Sequence, residues 1–205
     1  MEPKSIEWAK QLITMAQTGL TYTTDPYDIE RYKGIQKIGY EMLATGQGYP
    51  LEKVKDFFRH EVRHATPKVD VRAAVFRGEE ILLVRERSDG KWTLPGGWAD
   101  VGEAPSEAIA REVREESGYE VRVTKLLAVF DKRKHQHPPE PFYVYKLFFE
   151  CEVTGGTPAL SDETDGVEFV PGSELPELSL ARVTPAQVER LFELRRSISV
   201  GSAFD

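Results

Sequence analysis

Glutamates at positions 112, 115 and 116 stand at i, i+3 and i+4, a spacing that puts three carboxylates on one face of a helix. Each like-charged pair costs roughly a few tenths of a kcal/mol, so the arrangement needs a reason. A solvated face relieved by Arg111 and Arg114 is the plainest one, but it leaves Gly97, Glu103 and the loop before the helix unexplained. A site for hard divalent cations accounts for them together, because such ions take oxygen ligands, and magnesium keeps several waters and bridges to substrate phosphates. Arg111, four residues before Glu115, is placed to steady that carboxylate. Upstream, Leu94-Pro95-Gly96-Gly97 is a turn whose two glycines let the backbone approach a ligand closely. Glu103 either braces this loop or supplies another ligand.

The 205 residues carry a net charge of −7. A phosphate substrate would be repelled by such a cluster unless metal ions neutralise it, polarise the phosphorus centre and lower the pKa of a bound water. Residues 97–119, GWADVGEAPSEAIAREVREESGY, fit the pattern G-x5-E-x7-R-E-U-x-E-E-x-G-U at Gly97, Glu103, Arg111, Glu112, Val113, Glu115, Glu116 and Gly118. Tyr119 stands where an aliphatic residue is usual. This is the Nudix box, and the chain resembles Nudix hydrolases. The resemblance implies an α/β/α sandwich with a mixed sheet and Mg2+ or Mn2+ as cofactor. It also implies hydrolysis of a nucleoside diphosphate linked to a second group X, giving a nucleoside monophosphate and phosphorylated X. It assigns metal binding to the backbone carbonyl of Gly96 and to Glu112, Glu115 and Glu116. Glu168, just before Phe169, is where some relatives place an extra ligand. The catalytic candidates are Arg111, Glu112, Glu115 and Glu163; relatives take their general base either from the box or from a distal loop, and both options stay open.

A diphosphate also needs protein cations, since arginine forks onto phosphate and lysine acts as a point charge. Arg72, Arg85 and Arg87 lie on a hairpin, and Lys132 to His137 form a mainly basic link between two long strands. Arg72, Arg85, Lys132 and His135 are the substrate-binding candidates, against the alternative of a solvated hairpin tip for the link. His60 and His64, four apart on a short helix, read as surface residues. Tyr27, Tyr143 and Phe130 are candidate base-stacking groups, with core packing the better account of Phe130.

The first 66 residues are helical. Ile6, Ala9, Leu12, Ile13 and Ala16 recur at helical spacing, with Gly19 as the expected stop. Asp25-Pro26 caps a second helix with Ile35, Ile38 and Met42 on its apolar face, and a third follows Pro50 carrying Val54, Phe57 and Phe58. QTGLTYTTDPYDIERYKGI is similar to the helical extension of a bacterial Nudix subgroup associated with ADP-ribose or CDP-choline hydrolysis. That similarity implies a homodimer built through the extension; a simple packing appendage is the alternative. Thr66-Pro67 divides this extension (1–66) from the Nudix domain (67–205). Within the latter, residues 69–76 and 81–87 read as a hairpin, and 120–132, 142–153 and 166–170 as strands. Ile109, Ala110 and Val113 form the apolar stripe of the box helix, and Thr184-Pro185 caps a last helix facing inward through Val188, Leu191 and Phe192.

One cysteine, Cys151, allows no internal disulfide. The negative charge argues against a nucleic-acid footprint, no apolar run approaches a membrane span, and an ordinary cytoplasmic location is the default. A triphosphate-sanitising enzyme would use the same box, although the long extension leans against it. A non-catalytic sensor would be expected to lose glutamates that are all present here.

Overall fold

The computed structural model describes residues 3–197 and 201–205. They form two compact units. One holds the chain up to Pro67 with Pro139–Tyr143, and the other holds Lys68–Pro138 and Val144–Asp205. The division differs from a single cut at Thr66-Pro67, because five residues of the later chain belong with the helices.

The helical unit contains α1 (Lys4–Tyr22), α2 (Pro26–Gln47) and α3 (Leu51–Phe57). Asp25 caps α2 by accepting from the Tyr27 and Asp28 backbone N–H groups at 2.9 and 3.0 Å. The core joins Ile6, Ala9, Ile13, Leu43, Val54 and Phe58, and Phe142 packs on it. Three expectations are corrected. Gly19 does not stop α1, which continues to Tyr22; a side chain there would collide with the Tyr32 ring, so this glycine serves close packing. The buried face of α2 is Gly39, Leu43 and Ala44, while Ile38 is 53% exposed. Gly39 sits against Ile13 and the Ala9 carbonyl, and that approach rotates the contact face away from the larger apolar residues. His60 and His64 are exposed and lie beyond the end of α3, not on it.

The second unit contains β1 (Lys68–Arg77), β2 (Glu80–Glu86), β3 (Trp92–Thr93), α4 (Pro105–Ser117), β4 (Tyr119–Asp131), β5 (Val144–Gly156), β6 (Thr164–Pro171), α5 (Pro185–Arg196) and β7 (Ala203–Phe204). The strands make one mixed sheet ordered β3-β2-β1-β5-β4-β7, with β6 also paired to β2. β1 and β5 are parallel, as are β4 and β7. Alternating side chains feed two cores. Ala74, Leu83, Leu127 and Phe148 pack with Val188 and Leu191 of α5 on one face, while Ala73, Val75, Leu82 and Phe149 pack with Ile109 and Val113 of α4 on the other. This is the α/β/α sandwich the resemblance implied. Cys151 is a buried free thiol that burial pushes up to about 12. No helix among the described residues is long and apolar enough to cross a membrane.

β1 and β2 pair only next to their connecting turn, at Phe76–Ile81 and Arg77–Glu80. Beyond that they splay, and the loop after β3 runs along β1 in the gap. Ala73 N donates to Pro95 O at 2.9 Å, Val71 N to Gly97 O at 2.8 Å, and Ala99 N to Val69 O at 3.0 Å. The glycine turn is therefore held by strand-type hydrogen bonds rather than left as a free loop.

Candidate active site

Helix α4 forms where its local sequence demands it. Pro105 occupies the first turn, Glu107 accepts from the Ala104 N–H at 2.8 Å, and Gly118 ends the helix at φ +75°. Ala108, Ile109 and Val113 are fully buried against the sheet; Ala110 is only half-buried, so the stripe is turned one residue from the expected position. This leaves Glu112, Glu115 and Glu116 on the wall of a cleft of about 550 Å³. Gly96 and Gly97 form the adjoining wall. At φ +138° Gly96 has a conformation that glycine tolerates, and a Cβ there would collide with the Val71 carbonyl. Its N–H donates to Glu116 Oε2 at 2.8 Å.

The cleft is crowded with negative charge. Burial pushes Glu116, 5% exposed, up to about 8; Glu112 and Glu86 add repulsion, against the opposing pull of Arg72 and the Gly96 N–H. Burial also raises Glu112 against the pull of Arg111, and Glu86 against that of Arg182. Arg111 forks onto Glu103 at 2.9 and 3.0 Å and reaches Glu112 Oε1 and Glu115 Oε2 at 3.0 Å each. Carboxylates held above their ordinary range by burial and by one another are the donor set that a hard divalent cation satisfies. Among the described residues no three such groups converge on one point. Gripping a cation therefore requires Glu112 and Glu115 to turn from Arg111, a rotamer change open to long side chains. Beneath Glu116, Arg72 is buried and forks onto Asp70 at 2.9 Å through two nitrogens, and Lys146 closes on the same Asp70 at 2.8 Å. Burial alone would raise Asp70, but these two cations outweigh it and hold it at about 2.

Residues 66–192 match the NUDIX domain family, and residues 3–58 match a family described as a UDP-X-like, N-terminal oligomerisation domain. The chain belongs to the Nudix family. It is 42% identical over 205 residues to a Bacillus subtilis (strain 168) protein with the provisional name ADP-ribose pyrophosphatase YjhB, covering 100% of this chain and 99% of that one. A crystal structure of UDP-X diphosphatase superposes with a TM-score of 0.66 at 34% identity, covering 98% of each chain. An ADP-ribose pyrophosphatase structure from Streptococcus suis 89-1591 superposes with a TM-score of 0.63 at 38% identity, covering 68% of this chain and all of that one.

Of the residues expected at the Nudix site, Gly96, Arg111, Glu112, Glu115, Glu116, Glu163 and Arg72 line the one cleft. Arg72 is there as an ion-paired floor, its fork already spent on Asp70, and not as a clamp free to swing onto substrate. Four others do not line it. Arg85 pairs with Asp165 at 2.6 Å, over the Trp92 ring. Lys132 is buried in the short turn after β4, and His135 stacks on Phe130 and meets Asp205 at 3.3 Å, so the basic link folds onto its own strand end. Glu168 is exposed in the body of β6 opposite Leu83, away from the loop at the start of that strand. Phe130 is core, 5% exposed.

The cleft also holds residues that spacing did not single out: Glu86 at the end of β2, Arg182, and Trp98 with Asp100 in the loop. Arg182 meets Glu86 at 2.9 Å, reached because the segment before α5 threads past β3, with Ser179 N on Trp92 O at 2.8 Å. Nothing local in the sequence signals that crossing.

Proposed function

We propose that this protein is a Nudix pyrophosphohydrolase that splits a nucleoside diphosphate linked to X into a nucleoside monophosphate and phosphorylated X. One observation carries the reading: the three box glutamates, the glycine turn and the distal Glu163 all line a single cleft. Glu112, Glu115, Glu116 and the Gly96 carbonyl would hold Mg2+ or Mn2+. Bound there, the cation would neutralise the diphosphate and acidify a water.

The chain's own groups do the rest. Arg111, itself fixed by Glu103, neutralises the Glu112 and Glu115 carboxylates and releases them when a cation takes its place. Asp70, which also accepts from Lys146, keeps the Arg72 charge beneath Glu116. Glu163 is the general base. Its backbone is pinned: Ser161 Oγ accepts from the Glu163 and Thr164 N–H groups at 3.2 and 3.0 Å, Arg87 N donates to Glu163 O at 2.9 Å, and Thr164 Oγ1 donates to Glu116 O at 2.7 Å. The exposed side chain projects from this fixed turn and takes the water's proton.

The relatives' names favour ADP-ribose and a uridine diphosphate derivative as substrates; CDP-choline rests on the likeness of the extension. The helical unit joins two copies into a homodimer. Its match to an oligomerisation domain supports this, as does a second apolar stripe on α1. Trp8, Leu12, Met15, Gly19 and Tyr22 follow a 4-3-4-3 spacing, with Trp8, Met15 and Tyr22 55%, 62% and 71% exposed. Four of the five line an open groove of about 830 Å³ in this unit.

The test is a panel of ADP-ribose, CDP-choline, UDP-sugars, dinucleoside polyphosphates and NTPs with Mg2+ or Mn2+. Nucleoside monophosphate plus phosphorylated X is expected, lost in Glu115→Gln and Glu116→Gln variants that keep their fold. Pyrophosphate release from triphosphates with no turnover of the diphosphates would overturn the reading.

A further inference from the structure

The cleft lining carries one apolar side chain among the described residues, Trp98. Its backbone is fixed, since Trp98 bridges Asp70 of β1 and its two neighbours are bonded to the same strand. Yet its indole is left 50% exposed. Exposure alone says little, because Trp8 is 55% exposed on α1. What distinguishes Trp98 is a rigid mount at the edge of a polar cleft. A large aromatic surface left in water forgoes the gain of burial unless a ligand covers it.

A nucleoside diphosphate derivative has two chemically distinct parts. The diphosphate would be met through a cation held by the cleft's carboxylates, whereas the base offers a flat π-face that they cannot bind. We propose that Trp98 is the platform on which the nucleobase stacks, an inference that rests on the hydrolase reading above. Stacking tolerates any base, because every base presents a π-face. The platform therefore predicts turnover of both adenine- and uracil-containing substrates, with tighter hold on the larger adenine ring.

The experiment compares wild type, Trp98→Ala and Trp98→Phe. Steady-state kinetics with ADP-ribose and UDP-glucose are paired with calorimetric binding of AMP and of ribose 5-phosphate, all in Mg2+. In Trp98→Ala, KM should rise roughly five- to a hundredfold, more for ADP-ribose than for UDP-glucose, with a smaller change in kcat. Trp98→Phe should recover most of the loss. AMP binding should weaken in step while ribose 5-phosphate binding stays the same. Unchanged AMP affinity in Trp98→Ala overturns the platform, and so does an equal loss for ribose 5-phosphate, which would mean a damaged loop. If wild type turns over no diphosphate of the panel above, the hydrolase reading falls, and the AMP series still decides the role of Trp98.

Discussion

At the scale of single residues, Glu116 is where the acidic cluster meets the interior. It is nearly out of water, bonded to the Gly96 N–H, and faced by Glu112 and Glu86. Because its folded pKa is raised to about 8 from 4.5, the folded protein keeps a proton that the unfolded chain has already released. The contribution of this one group to metal-free stability is therefore present in full below about pH 4.5 and falls as pH rises towards 8, by about 1.4 kcal/mol per unit at most. A series of melting temperatures in chelator should show this slope, and Glu116→Gln should flatten it. A metal-free protein equally stable at pH 5 and pH 8 would contradict the assignment. Residues of this kind were legible in the sequence because their meaning lies in spacing along one helix. Glu86 and Arg182 were not, because β2 and the segment before α5 meet only through the sheet.

At the scale of elements, the site depends on a strand that gives way to a loop. β1 leaves β2 after two paired positions, and the Pro95–Ala99 stretch takes the vacated hydrogen bonds. The glycine pair announced a turn, but that the turn docks along β1 is a long-range fact. Gly96→Ala should therefore act twice, by backbone strain and by collision with the Val71 carbonyl. We expect a loss of about 1–3 kcal/mol of stability and roughly a hundredfold in kcat from the displaced donor to Glu116. Thermal melting and kinetics on the same preparation check both, and an unstrained, fully active variant would mean the turn is not fixed as described. The long strands, the box helix and α5 were readable because periodicity and capping signals run over many residues. β3 and β7, two residues each, carry no such signal. The face of α2 was misplaced because small residues, not large ones, set its approach to α1.

At the scale of the whole molecule, two compact units share one chain, and the boundary in sequence is not the boundary in space, since Pro139–Tyr143 returns to the helices. The extension's apolar residues supported helices from the outset; that α1 carries two apolar stripes, one buried and one exposed, emerges only once the buried one is identified. Met15→Glu, on the exposed stripe, should leave the fold intact and shift the sedimenting species to one chain's mass of 23.2 kDa. A dimer that survives this change, or a wild type already monomeric, would count against the interface. In the other unit, we propose, the glutamate cluster binds a divalent cation through which the diphosphate is cleaved. The most direct measurement is AMP release from ADP-ribose as Mg2+ or Mn2+ is added back to chelated enzyme. No AMP is expected without metal, and a saturable rise with it, absent in Glu116→Gln. Release that is independent of metal, or equally rapid in Glu116→Gln, would contradict it.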